Sequence, residues 1–386
     1  MIRKIVLNTE VFVPEMAKVN SVIAVKNALP ILGDIRIETK DDGNGGVYAV
    51  LMASDSETWL KVKATVESES EVDVVFCVEA KTWLQALRNL GNQMVTLELD
   101  DEKHIVACKY TNGVFQLPYD EAAEYPMPIT GANSEEIKKH IDSRKMLTSL
   151  ERAGFATAND ELRPVMNGIH FDFFADGMVS VATDGHKMAK YKDLTVTHNG
   201  TDPTVHGFTL PAKPSHILMN ILSSTTVGDV AVVFDDRTVV VSNNLFVLTA
   251  RLIEGRYPNY DSVIPPTNNI VVTINKADFI AALRRVLPMS ATSELTALTF
   301  SDGQVQVSAE DYDFSKSATE RVECDYAGAG FTIGFKGSIL LQLVQNIDTT
   351  AFCIQMTAPD RAGVITEDAQ NAVYEYTSLI MPMMVQ

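Results

Sequence analysis

The sequence predicts an α+β protein of three similar domains, each with two helices on one face of antiparallel sheets. Three observations predict it. A set of turn, lysine and proline signals recurs three times in the same order. The stretches between them alternate apolar and polar residues, as half-buried strands do. Two stretches in each copy instead carry apolar residues at helical spacing. A period of roughly 125 residues is too long for a stacked solenoid repeat and long enough for a complete domain.

Each copy opens on an amphipathic helix. In the first it spans about Val11–Val25; in the second Met146, Leu147 and Leu150 form the buried stripe. In the third, Asn275 is the expected N-cap, with Phe279, Leu283, Val286 and Leu287 facing inward. An Asp-Gly hairpin follows, at Asp42-Gly43, Asp176-Gly177 and Asp302-Gly303. A second turn reads Ala-x-Asp, ending at Asp55, Asp184 and Asp311. A lysine then opens the second helix: Lys81, Lys213 and Lys336 lie 26, 29 and 25 residues beyond those aspartates. Apolar residues at helical spacing come next, such as Ile217, Leu218, Ile221 and Leu222. Last come acidic hairpins at Asp100-Asp101, Asp235-Asp236 and Asp360-Arg361, and closing prolines at Pro126, Pro258 and Pro382. The predicted domains are 1–128, 129–258 and 259–386.

Composition narrows the function. The N-terminal apolar run stops at Asn8, short of a signal sequence, and no segment reaches the length of a membrane span. Cys77, Cys108, Cys324 and Cys353 are scattered without metal-ligand spacing, which suits reduced thiols in a cytoplasmic protein. Gly334-Phe335-Lys336-Gly337-Ser338 lacks the Gly-Lys-Ser/Thr adjacency of a phosphate loop, so no nucleotide cofactor is expected. The net charge of −18 argues on average against nucleic acid. The six predicted helical segments reverse that average: they hold 12 Lys/Arg against 5 Asp/Glu, which leaves −25 for everything else. Helices gathered on one side would form a positive wall on a negative body, and such walls bind phosphate backbones without reading sequence. A solvated helix face explains the same tally about as well. A lysine at a helix start opposes the helix dipole, which favours an outside anionic partner.

The stretch Val181–Tyr191 carries the chemistry. An apolar strand runs into the Asp184-Gly185 turn, beside which stand Thr183, His186 and Met188. Asp184 and His186 could be a metal-dependent hydrolytic pair. Against this, Asp55 and Asp311 hold the same turn in the other copies, so Asp184 reads as a turn-former bonding its own backbone. What remains unique to the second copy is Gly185-His186, which fits a groove. The tail Leu379–Val385 is either a last core strand or one wall of that groove. Pro382 and the methionine cluster favour the groove.

Several motifs together resemble the bacterial DNA polymerase III beta subunit family, over essentially the whole chain. They are Leu29–Gly33, Arg163-Pro164-Val165-Met166-Asn167-Gly168, Val181–Lys187, Gly255–Tyr260 with Val263, and Met381-Pro382-Met383. The resemblance implies a non-enzymatic sliding clamp: a head-to-tail homodimer whose six DNA-clamp domains ring duplex DNA as the polymerase's processivity factor. It implies neither metal nor cofactor. Implied partners are double-stranded DNA, the replicative polymerase's catalytic subunit with its 3′–5′ exonuclease complex, a clamp loader, and repair and ligation proteins carrying short peptides. The family's peptide cleft falls here on Met166, Thr183, Gly185, His186, Lys187, Met188, Pro258, Val263, Leu379, Ile380, Met381, Pro382 and Met383. The resemblance places Lys26 where the family reaches DNA; the positive helical wall adds Lys81, Arg88, Arg152, Lys213, Arg284 and Lys336 as expected DNA-facing positions. Lys187 and Ser262 stand where the family often has arginine, and the end Met384-Val385-Gln386 is longer and less basic than usual. The wall loop Thr292–Leu295 has no clear counterpart.

Overall fold

The computed structural model describes residues 2–128, 137–196, 206–224, 228–368 and 372–385. One ten-element order, βαββββαβββ, appears three times. The first copy runs β1 (Ile2–Asn8), α1 (Thr9–Asn20), β2 (Asp34–Asp41), β3 (Val47–Ser54), β4 (Thr58–Thr65), β5 (Val75–Glu79), α2 (Ala80–Arg88), β6 (Met94–Asp100), β7 (Ile105–Tyr110) and β8 (Gly113–Pro118). The second runs β9 (Ile137–Asp142), α3 (Ser143–Gly154), β10 (Gly168–Phe174), β11 (Gly177–Thr183), β12 (Lys187–Asp193), β13 (His206–Pro211), α4 (Ala212–Ser224), β14 (Asp229–Phe234), β15 (Thr238–Ser242) and β16 (Phe246–Arg251). The third runs β17 (Ile270–Asn275), α5 (Lys276–Val286), β18 (Leu295–Ser301), β19 (Gln304–Asp311), β20 (Lys316–Asp325), β21 (Phe331–Lys336), α6 (Gly337–Gln345), β22 (Ala351–Met356), β23 (Gly363–Glu367) and β24 (Tyr374–Ile380). A short β25 (Pro382–Met383) follows.

Every copy builds two four-stranded antiparallel sheets of the same order. In the first copy these are β1-β6-β7-β8 and β5-β2-β3-β4. Strand pairing, not chain order, groups the copies into two compact units, Met1–Arg144 with His216–Leu252 and Lys145–Ser215 with Ile253–Gln386. In the first unit β4 pairs with β16, so the first copy continues into β16-β15-β14-β9. In the second, β12 pairs with β24, which links β10–β13 to the third copy.

The helices bury most of the expected stripes, except that Leu147 is only half-buried and Leu287 lies beyond α5, also half-buried. Phe12, Met16 and Val19 on α1, Trp83, Leu84 and Leu87 on α2, and Phe279, Leu283 and Val286 on α5 are all within the core. Each such side chain contributes about 1.5–3 kcal/mol over leaving it in water. α1 lies on β3 and β4 beside α2, and α5 lies on β19 and β20 beside α6. Asn275 caps α5 as expected, accepting from the Asp278 N–H at 3.2 Å; Asn8 and Glu79 do the same for α1 and α2.

Two expectations need correcting. The first helix covers Thr9–Asn20, not Val11–Val25. Ser21 turns its hydroxyl onto the Lys18 carbonyl and ends the helix, while Val22 is buried on the turn beyond it. Asp302-Gly303 is a two-residue loop as expected, but the second copy's loop is Ala175-Asp176 with Gly177 already in β11, and Asp42-Gly43 sits in a five-residue loop. There Gly43 and Gly45 adopt positive φ, and the Asp42 carboxylate accepts from the Asn44 and Gly46 N–H groups. Ile129 and the 128/129 boundary lie outside the described residues, as does Gln386.

Candidate functional site

β11 and β12 form the hairpin whose tip is Asp184-Gly185-His186. Asp184 Oδ1 accepts from the His186 and Lys187 N–H groups, both at 2.8 Å. Asp55 accepts from Glu57 and Thr58 in the same way, and Asp311 from Phe314. Asp184 is therefore a turn-former shared by all three copies, and the hydrolytic pair with His186 has no support. Among the described residues no cluster of three or more His, Cys, Asp or Glu could hold a metal. Gly185 needs its φ of 87°, and a Cβ there would meet the Arg163 guanidinium at 2.8 Å.

The tail closes onto this tip. β24 pairs along β12, setting Leu379 opposite Met188 and Ile380 opposite Lys187. The Met381 N–H then donates to the His186 carbonyl at 2.9 Å. Pro382 turns the chain away from β12, and β25 joins β21 instead, Met383 opposite Gly334. The strand break expected at Pro382 is thus a change of partner.

Side chains on a strand alternate between faces, so this register sorts the expected residues into two sets. Met188 and Leu379 share one face and form an apolar base with Val179, Val181, Tyr257, Tyr260 and Val364, against which Val165 and Ile264 pack. Thr183, paired with Met188, belongs to that face. Its hydroxyl donates to the Lys187 carbonyl and accepts from the Gly185 N–H. Lys187 and Ile380 point to the other face, which corrects their placement in the cleft. Lys187 Nζ donates to Gln342 on α6 at 3.0 Å and pairs with Asp184 at 3.4 Å. Ile380 is fully buried, alongside Gly363. Met166 is buried at the end of a 3₁₀ turn. Gly185, His186, Pro258, Val263 and Met381 are exposed around the base, with Pro382 and Met383 half-buried. Val263 and Met381 are the exposed large apolar side chains of the expected set, 56% and 49% exposed.

The sequence reading missed Tyr257 and Tyr260, although both lie in the Gly255–Tyr260 motif that supplied Pro258. Tyr257 stacks on His170 at 4.5 Å, and Tyr260 donates to Asp172 at 2.8 Å. Burial would raise the Asp172 carboxyl, yet the hydrogen bonds from His170 and Tyr260 hold it below its ordinary value. Arg163, also passed over, pairs with Asp160 and lies over the Gly185 turn.

The basic residues divide as sharply. Lys81 and Arg88 are exposed two turns apart on α2, where with Asn20 and Gln85 they border a shallow depression. Lys26, Lys213 and Arg284 are exposed; Lys336 is exposed and pairs with Glu294 at 3.6 Å. Glu294, in the loop Thr292–Leu295, also meets α6 through Ser338. Arg152 is the correction: it is 5% exposed and cannot face DNA. Its guanidinium bonds the Asn346 carbonyl and Asp348, pairs with Glu367 at 3.2 Å and lies over the Tyr376 ring.

Comparison with known proteins agrees along the whole chain. Models for the N-terminal, central and C-terminal domains of the DNA polymerase III beta subunit match residues 3–129, 140–259 and 261–384. The beta sliding clamp of Halalkalibacterium halodurans is 23% identical over 364 residues, covering 91% of this chain and 92% of its own. That of Pseudomonas putida is 22% identical over 379 residues, covering 98% of each. Among solved structures, the sliding clamp from Bartonella birtlesii bound to griselimycin superposes with a TM-score of 0.89 at 24% identity, covering 100% of both chains. The beta subunit from Thermotoga maritima does so with 0.87 at 22%, again covering 100% of both.

Proposed function

The chain belongs to the DNA polymerase III beta subunit family, the beta sliding clamps, and from that premise we propose that two copies close head to tail into a ring around duplex DNA. It is the non-catalytic processivity factor of the replicative polymerase. The observation that carries the ring is a junction made twice and left open once. β4 pairs with β16 and β12 with β24, each time the last strand of one copy's second sheet against the last strand of the next copy's first sheet. Among the described residues, β8 is a sheet edge, and β20, whose end pairs with β17 only at Cys324 and Asp325, has no such partner along Lys316–Glu323. An open edge of this kind is a template for another chain, and a head-to-tail contact that closes makes a ring.

On this reading the domains are 1–128, 129–258 and 259–386, and six of them surround the DNA. Lys26, Lys81, Arg88, Lys213, Arg284 and Lys336 meet phosphates, so contact is sequence-independent and weakens with salt. The peptide of a polymerase, loader or repair protein lays large apolar side chains against Val263 and Met381, over the base of Met188, Leu379 and the two tyrosines. The protein works in the cytoplasm, beside the DNA it encircles. No helix among the described residues is long and apolar enough to cross a membrane. Solution mass at micromolar concentration tests the ring first: a particle twice 42.3 kDa is expected, and a monomer throughout contradicts it.

A further inference from the structure

The three copies differ at the place where one copy hands over to the next. In the first unit the β3–β4 hairpin turns through Asp55–Thr58, and the Glu57 carbonyl at its tip accepts from the Arg251 N–H of β16 at 2.8 Å. In the second unit the β11–β12 tip is Gly185-His186, and the His186 carbonyl accepts from Met381 at 2.9 Å. The same bond therefore latches the hairpin tip at both junctions. The position on β8 that matches Arg251 is Pro118. Arg251 lies opposite Thr238, and the next N–H donates to the Arg237 carbonyl; Pro118 lies opposite Ile105, and the next N–H donates to the His104 carbonyl. Proline has no N–H, so the third junction cannot make the latch.

The third tip is also built differently. All three hairpins leave four residues between their last paired positions, but here Asp311 is still paired with Lys316 in the strand, so the loop is Tyr312-Asp313-Phe314-Ser315 and no longer contains the turn aspartate. Tyr312 is 82% and Phe314 73% exposed, where the other tips carry small or polar side chains. Two aromatic rings held in water at a loop tip are the form of an anchor awaiting a pocket. Next to Pro118 the chain carries an open depression of about 390 Å³ lined by His104, Tyr119, Ala122 and Ala123, with Arg3 and Arg36 and the acidic Asp101 and Glu121; Arg3 pairs with Asp101 and Arg36 with Glu38. Aromatic rings and guanidinium groups are good neighbours for an inserted aromatic side chain.

We propose that Tyr312 and Phe314 of one copy insert into the depression beside Pro118 of a second copy, and that this aromatic anchor replaces the missing tip hydrogen bond at the subunit junction. The inference rests on the head-to-tail ring and names the residues that hold it shut. The experiment is sedimentation equilibrium of the full chain and of a Tyr312→Ser/Phe314→Ser variant. Wild type should dimerise, and the variant should melt at an unchanged temperature with a dimer dissociation constant at least tenfold higher. A monomeric wild type would overturn the ring itself. A dimeric wild type with an equally tight variant would overturn the anchor alone. A benzophenone amino acid at position 314, in a mixture of isotope-labelled and unlabelled chains, gives an independent reading. Crosslinks between copies into residues 101–123 support the anchor, and crosslinks confined to other segments refute it.

Discussion

Arg152 shows how much a single side chain's position decides. Its two carboxylate partners differ: Glu367 is as buried as the guanidinium, while Asp348 is largely exposed. Arg152→Ala removes the cation from the buried Glu367 and leaves it only its bonds from Tyr374 and the Asp348 N–H; breaking a buried pair in this way costs on the order of 3–5 kcal/mol. Denaturant unfolding should show that loss, and the salt dependence of DNA retention should not move. A shift in the salt slope without a loss of stability would return Arg152 to the DNA-facing set. Asp34 offers a second residue-level test. Burial, and then the nearby Asp120 carboxylate, push its carboxyl up to about 7. Folded protein keeps that proton up to about pH 7, whereas the unfolded chain releases it near pH 4, so stability falls as pH rises through this window. Asp34→Asn should melt above the parent at pH 8, with the gap closing towards pH 4. A gap that does not change with pH would contradict the assignment.

The tail strand is where the element scale matters. A chain ending at Ile380 keeps the β12–β24 pairing but loses the Met381 N–H bond to His186, the pairing of β25 with β21, and one apolar wall. Each lost apolar anchor is worth about 1.5–3 kcal/mol, so a micromolar partner peptide should fall below detection by calorimetry. The dimer should persist and melting should drop only modestly. Wild-type peptide affinity in the truncated chain would place the cleft elsewhere. Much of this element was legible in the sequence, because a proline in a strand and an aspartate in three equivalent turns each have one dominant physical reading. The two-residue alternation that sends Lys187 and Ile380 to the α6 side was not, since it depends on the register with a strand nearly two hundred residues away. Arg152 was misread for the same reason: α3 supplies a basic residue at a plausible spacing, but its partners come from Asn346 to Tyr376. Tyr257 and Tyr260 lie inside a sequence motif, but their partners His170 and Asp172 are nearly ninety residues earlier on β10, which the motif does not show.

At the scale of the whole molecule, the repeated unit and the charge partition lead to one physical picture. A chain of net charge −18 can hold duplex DNA only if its cations are gathered and the hold is topological, not adhesive. Charge reversal at Lys81, Lys213 and Arg284 together should shorten retention on closed DNA while leaving the dimer intact, and more so at low salt. Retention equal to wild type at every salt concentration would remove the positive wall from the account. The most direct measurement concerns topology itself. After loading onto a nicked circular duplex, the protein should stay bound through gel filtration, and cutting the circle once should release it. Equal retention on circular and linear DNA would contradict an encircling ring.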